Sequence, residues 1–190
     1  MANKRIIELK NGKKFQLRHM RRSDLNCIWH NFNQVIDEGV FLPTYNKVTT
    51  EYEKRAWYNE IVDLGNICVV AEDQNKSPPN NVVCQCTIEH IQWEASSHVA
   101  VLGVIVEKEN RSSGLGYELL LFALEQAMKK GKSKVILSTL STNKTAIELY
   151  ERVGFKKVGL RKKHFFMTGA YIDEVLMEIW ISENQDSDRK

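Results

Sequence analysis

From Val104 to Tyr117 the chain reads Val-Ile-Val-Glu-Lys-Glu-Asn-Arg-Ser-Ser-Gly-Leu-Gly-Tyr: an apolar segment, a short polar one, two glycines and the start of an amphipathic stretch. A strand, loop and helix of this kind can hold an anion. The first turn of a helix leaves backbone N–H groups unpaired, and its dipole places about half a positive charge there, so main chain alone can grip a diphosphate. Glycine at 114 and 116 removes side chains that would keep phosphate oxygens from those amides, and Arg111 can add a charge-assisted bond. Two common phosphate loops are excluded. The Walker pattern requires Lys and then Ser or Thr after its last glycine, where Tyr117-Glu118 stands; the dinucleotide pattern requires a third glycine, where Leu119 stands. The plainer alternative is that Gly114 and Gly116 only make a tight turn.

A second passage, Asn143-Lys-Thr-Ala146-Ile-Glu-Leu-Tyr150-Glu-Arg-Val-Gly154-Phe155, reads as a short helix with a defined start and stop. Asn143 suits the N-cap, or its amide can reach into a gap between diverging strands. Tyr150, two helical turns on, points along the same face. Gly154 takes the left-handed position that ends the helix, and Phe155 returns to the core. Taken alone, a tyrosine at helical spacing is ordinary core. Together the two passages are specific. Arg111-x-x-Gly114-x-Gly116 after an apolar strand resembles the acetyl-CoA signature, Gln/Arg-x-x-Gly-x-Gly/Ala, of the GNAT family of N-acetyltransferases. Asn143 to Phe155 resembles that family's second hallmark, Asn-x-x-Ala-x-x-x-Tyr-x-x-x-Gly-Phe. The resemblance covers about residues 13–181, its N-terminal half in pattern only.

The resemblance implies an α/β fold in one domain: a mixed, mostly antiparallel sheet of about seven strands, helices on both faces, and splayed central strands that form an acetyl-CoA cleft. It implies that the pantetheine pairs with main chain around Val104, Ile105 and Val106. The pyrophosphate would sit on the amides of Arg111, Ser112, Ser113, Gly114, Leu115 and Gly116, with Asn143 and Tyr150 completing the cofactor-binding set. Tyr150 would be the catalytic residue, protonating the leaving thiolate after direct attack by an amine. The implied acceptor is a primary amine of a small molecule, of amino-acid or polyamine type. A protein N-terminus, or a non-catalytic acyl-CoA-binding regulatory module, is the alternative. Many members of the family carry a glutamate near positions 100 and 101, where Ala100 and Val101 stand here. The general base is thereby unassigned among Glu89, His90, His98 and a water chain. Acceptor contacts are expected from Ile36 to Tyr45 and from the C-terminal hairpin, where Asp173 or Glu174 can pair with an ammonium group or simply be solvated.

The elements that must position these residues are legible in outline. Phe15 to Arg18 alternates as a short strand after an Asn11-Gly12 turn; Ser23 or Asp24 can cap a helix bearing Leu25, Ile28, Trp29, Phe32 and Ile36; and Thr50-x-x-Glu53 is a capping box. Strands are expected at 67–70, 82–93, 98–106 and 135–137, and a hairpin at 155–166 and 171–181. A helix carries Leu119, Leu120, Ala123, Leu124, Ala127 and Met128. The predicted order is β-α-α-β-β-β-α-β-α-β-β, with one domain over 1–181 and a frayed polar tail over 182–190.

The 190 residues suit one domain at ~150 residues per domain. Lys and Arg number 27 against 24 Asp and Glu, a net charge of +3, which suits an anionic small ligand better than a nucleic acid. Four scattered cysteines and a start without a long apolar run point to a reducing, cytoplasmic setting. The longest apolar run is far below the ~20 residues of a spanning helix, so no membrane partner is expected. Cys84-x-Cys86 with Glu89 and His90 lacks zinc spacing, so no metal is expected. The basic runs at 129–134 and 161–164 read as solvated surface before they read as RNA-binding or 3′-phosphate sites. Homodimerisation through sheet edges or hairpins stays open.

Overall fold

The computed structural model describes residues 4–182; the expected frayed tail falls, apart from residue 182, outside the described residues. The strands are β1 (Lys4–Glu8), β2 (Lys14–His19), β3 (Ile67–Asp73), β4 (Val82–His90), β5 (Val99–Val106), β6 (Lys134–Leu140), β7 (Lys156–Met167) and β8 (Ala170–Trp180). The helices are α1 (Leu25–Glu38), α2 (Glu51–Asp63), α3 (Leu115–Lys129) and α4 (Lys144–Val153). One sheet runs β1-β2-β3-β4-β5-β6-β8-β7. Among the described residues only β5 and β6 are parallel; every other neighbouring pair is antiparallel.

There is one strand more than the sequence pattern predicts. Lys4 to Glu8 folds back on β2, with Lys4 opposite Arg18 and Glu8 opposite Lys14. An edge strand with one exposed face carries too few apolar residues to announce itself, since pairing with β2 rather than burial holds it. The expected strand ending at Trp93 stops at His90, and a 3₁₀ turn over Glu94–Ser96 makes the hairpin to β5.

Period-two alternation divides the sheet between two cores. In β3, Ile67, Val69 and Ala71 face α3 and α4, while Cys68 and Val70 face α1 and α2. Leu119, Leu120, Ala123, Leu124 and Ala127 of α3 are buried on the first face as expected, but Met128 is 41% exposed. On the second face Leu25, Ile28 and Trp29 of α1 meet Ile61 of α2. The predicted box opens α2, with Thr50 Oγ1 accepting from the Glu53 amide at 3.2 Å. Asp24 does not cap α1 through its side chain. It forms a bidentate pair with Arg18 Nη1 and Nη2 at 2.7 and 3.0 Å, and Arg18 Nε donates to Glu72 at 2.7 Å. This buried triad ties β2 and β3 to the start of α1.

Candidate active site

The parallel pair β5–β6 is hydrogen-bonded only from Val99 opposite Lys134 to Val101 opposite Ile136. Beyond that point the strands part, although β5 stays paired with β4 as far as Val106. The direction of the free groups follows from alternation. Lys134 N–H donates to His98 C=O on the β6 side, and Glu107 N–H donates to Val83 C=O on the β4 side. Main-chain groups of Val104 and Val106 therefore face the gap, and those of Ile105 face β4. The Val106 carbonyl is taken by Arg111 Nε at 3.0 Å, leaving Val104 as the open peptide edge.

The gap leads into the loop before α3. A 3₁₀ turn over Lys108–Asn110 is followed by Ser112 at φ +56° and Gly114 at φ +94°. These two left-handed residues lead the chain into the positive end of a 15-residue helix, a loop geometry of the kind that can gather amides about an anion. Among the described residues the amides of Ser112, Ser113, Gly114, Gly116 and Tyr117 have no hydrogen-bond acceptor. The two glycines do different work. A Cβ on Gly114 would meet nothing within 4 Å, so glycine there serves the positive φ and leaves the cleft open. A Cβ on Gly116 would lie 3.2 Å from Leu149 Cδ2 and 3.5 Å from Val106 Cγ2, so glycine there lets α3 pack against α4 and β5.

Together these elements enclose a cleft of about 530 Å³. Of the residues singled out in the sequence, Val104, Ile105, Val106, Arg111, Ser112, Gly114, Gly116, Asn143 and Tyr150 line it. Ser113 and Leu115 do not. The Ser113 hydroxyl turns back to Asn110 C=O at 2.6 Å and accepts from the Leu115 amide at 3.3 Å, and the Leu115 side chain is fully buried. Asn143 caps α4, its Oδ1 accepting from the Ala146 amide at 3.3 Å. Tyr150 reaches the cleft from a site only 7% exposed, its ring edge-on to Phe155 at 5.8 Å. Burial raises its phenol pKa well above the ordinary range, so the hydroxyl is firmly protonated at neutral pH.

Arg111 is already engaged. Nη1 lies 2.7 Å from Glu38 Oε2 and Nη2 contacts Oε1, while the guanidinium stacks 4.8 Å from the centre of the Phe41 ring. This side chain joins the α3 loop to the end of α1 instead of standing free beside the unpaired amides. Glu38 escaped the sequence reading because nothing local links positions 73 residues apart. The segment it anchors, Phe41-Leu42-Pro43, forms part of the cleft wall, as do Tyr117, Ser138, Thr139, Glu148 and Arg152.

The sequence model of the acetyltransferase (GNAT) family matches residues 35–155. The chain belongs to the GNAT family. It is 28% identical over 82 residues to the ribosomal protein bS18-alanine N-acetyltransferase of Escherichia coli, a match covering 43% of this chain and 55% of that one. Over 98 residues it is 29% identical to an L-amino acid N-acetyltransferase of E. coli, covering 51% of this chain and 60% of the other. The chain thus spans little more than half the length of these curated relatives. Among solved structures, a phosphinothricin acetyltransferase of Sinorhizobium meliloti in complex with AcCoA superimposes with a TM-score of 0.79 at 21% identity, covering 89% of each chain. That likeness establishes the fold.

Within this GNAT fold, none of the three base candidates lines the cleft. His90 Nδ1 sits 2.6 Å from Lys132 Nζ, and burial together with that cation lowers the imidazole pKa. His98 stacks on Trp180 with ring centres 6.4 Å apart. Glu89 lies opposite Val101. The basic run at 129–134 is also engaged: Lys129 pairs with Glu125, Lys130 donates to Gly65 C=O, Lys132 donates to Ser97 C=O and Lys134 pairs with Glu178. Among the described residues no group of His, Cys, Asp and Glu is arranged to hold a metal.

Proposed function

We propose that this chain is an acetyl-CoA-dependent N-acetyltransferase acting on a primary amine of a small molecule, by direct attack of the amine on the thioester. The observation that carries the reading is the convergence, in one cleft, of unpaired amides before α3, an open peptide edge at Val104 and a buried, protonated Tyr150. The residues suit the donor: a diphosphate fits the loop of Ser112 to Tyr117, where Gly114 leaves room for its oxygens, and an extended amide-bearing arm fits the unpaired edge of β5. Bound there, acetyl-CoA supplies an activated acyl carbon. The chain's own residues supply position and a proton. As the new C–N bond forms and the C–S bond breaks, the Tyr150 hydroxyl gives its proton to the departing sulfur, and the proton shed by the acylated nitrogen passes through solvent to restore the phenol.

The acceptor must arrive neutral. With none of the three base candidates on the cleft wall, the ammonium of an incoming acceptor gives up its proton to water. Four buried, unpaired cysteines support the reducing cytoplasm expected for such an enzyme. No helix among the described residues is long and apolar enough to cross a membrane. The test is an acetyl-transfer screen over amino acids, polyamines, aminoglycosides and short peptides, read by free thiol alongside calorimetric binding of acetyl-CoA. Amine-dependent thiol release is expected; tight binding without release for any amine would favour a regulatory acyl-CoA module.

A further inference from the structure

The hairpin β7–β8 departs from regular pairing beside the cleft. Arg161 lies opposite Glu174 and Phe165 opposite Ile172, so Lys162, Lys163 and His164 face Asp173 alone. Lys163 takes φ +52°, a left-handed conformation that a side chain with a Cβ adopts at a cost, and its amide is held by Asp173 Oδ1 at 2.7 Å. The bulge has a clear result. Arg161 Nη1 at 2.7 Å and His164 Nε2 at 3.4 Å converge on the same oxygen, Oε2 of Glu174. Glu174 is 5% exposed and lies near Ser138, which belongs to the cleft wall, as does Phe165 at the end of the bulge.

These contacts engage one oxygen of each acidic residue within the hairpin itself. Asp173 secures the bulge and Glu174 secures Arg161, so both carboxylates already serve the hairpin's own geometry. Arg161 is different: its side chain is 56% exposed, and among the described residues Nη2 and Nε have no partner. It is a guanidinium aimed by a buried carboxylate with one edge of its fork open, the geometry that takes a carboxylate through two parallel bonds. The surrounding charge agrees. Arg161, Lys162 and Lys163 outnumber Asp173 and Glu174, so this stretch of the hairpin, which flanks the cleft next to Phe165 without lining it, favours an anion over a polycation.

We infer that Arg161 is a specificity-determining residue that binds the carboxylate of the acceptor, making free amino acids, rather than polyamines or peptide N-termini, the acceptor class. The inference rests on the acetyl-transfer reading above. Glu174 and Asp173 act through Arg161 as positioning residues, and no further chemistry is required of the hairpin.

The experiment compares thiol release with each common L-amino acid, its carboxamide and spermidine, in the wild-type chain and in Arg161→Gln and Arg161→Lys, with acetyl-CoA affinity measured separately. In the wild type, the best amino acid is expected to exceed its carboxamide by about tenfold or more in kcat/KM, with spermidine poor. Arg161→Gln should erase that ratio chiefly through KM, Arg161→Lys should restore part of it, and acetyl-CoA affinity should be retained. Carboxamides or spermidine matching the acids in the wild type would overturn the inference, as would an Arg161→Gln enzyme that keeps the ratio. Acetyl-CoA binding without transfer to any acid would overturn it while leaving the cofactor site standing. Failure to bind acetyl-CoA would bring down the acetyl-transfer reading itself.

Discussion

Tyr150 and Gly114 show two ways in which one residue serves this site. Tyr150 lines the cleft from a nearly buried position, and burial raises its phenol pKa, so the hydroxyl stays protonated at neutral pH, as the proposed proton donor must. Tyr150→Phe keeps the ring and its contact with Phe155 but removes the proton. Turnover is expected to fall by about 10²-fold, with acetyl-CoA affinity within about twofold of wild type, as checked by steady-state kinetics and calorimetry. Full activity in that variant would mean the sulfur departs without this residue. Gly114 contributes by what it lacks. At φ +94° a β-branched side chain is strained, and in Gly114→Val it would also stand where the cleft is open. Acetyl-CoA affinity should drop by about tenfold or more with folding cooperativity preserved, read by isothermal calorimetry and thermal melting.

Among the elements, the end of α1 and the loop before α3 are joined by the Glu38–Arg111 pair, and this junction holds Phe41-Leu42-Pro43 against the cleft. Hydrogen bonding to Arg111 lowers the Glu38 pKa below its ordinary value near 4.5. The sign follows from that direction. The pair's contribution to stability is fully present above the unfolded-state value and is lost as pH falls through the lower folded-state value. The melting temperature of the wild type should therefore exceed that of Glu38→Gln near neutrality, and the gap should close as pH is lowered from about 6 to about 3. A gap independent of pH would show that the carboxylate charge is not what joins the two elements. The same substitution frees Arg111, so a change in acetyl-CoA affinity is expected with it.

On the scale of the molecule, two cores on opposite sheet faces are bound together by the strands they share, and the Arg18 triad locks the α1 side to β2 and β3. Arg18→Met would leave Asp24 and Glu72 facing each other with no cation between them, and Asp24 is buried. Removing one partner of such a group costs about 3–5 kcal/mol, to be read as a lowered denaturation midpoint in urea. Much of this architecture was legible beforehand because it depends on local period and short-range chemistry: the helix capped by Thr50, the α3 stripe, the Gly114–Gly116 loop and the Asn143-to-Phe155 helix each declare themselves within about a dozen residues. Placing Tyr150 and Asn143 in one cleft wall with Gly114 needed the family resemblance as well, since spacing along the chain says nothing of which strands part. Strand β1 was invisible because an edge strand is held by pairing and not by an apolar pattern. The role of Gly116 against Leu149, the engagement of Arg111 by Glu38 and the convergence of Arg161 and His164 on Glu174 were equally hidden. Each is a contact between side chains, or a side chain and a backbone, brought together from separate elements, and the free energy of such contacts depends on distances that only the folded chain defines.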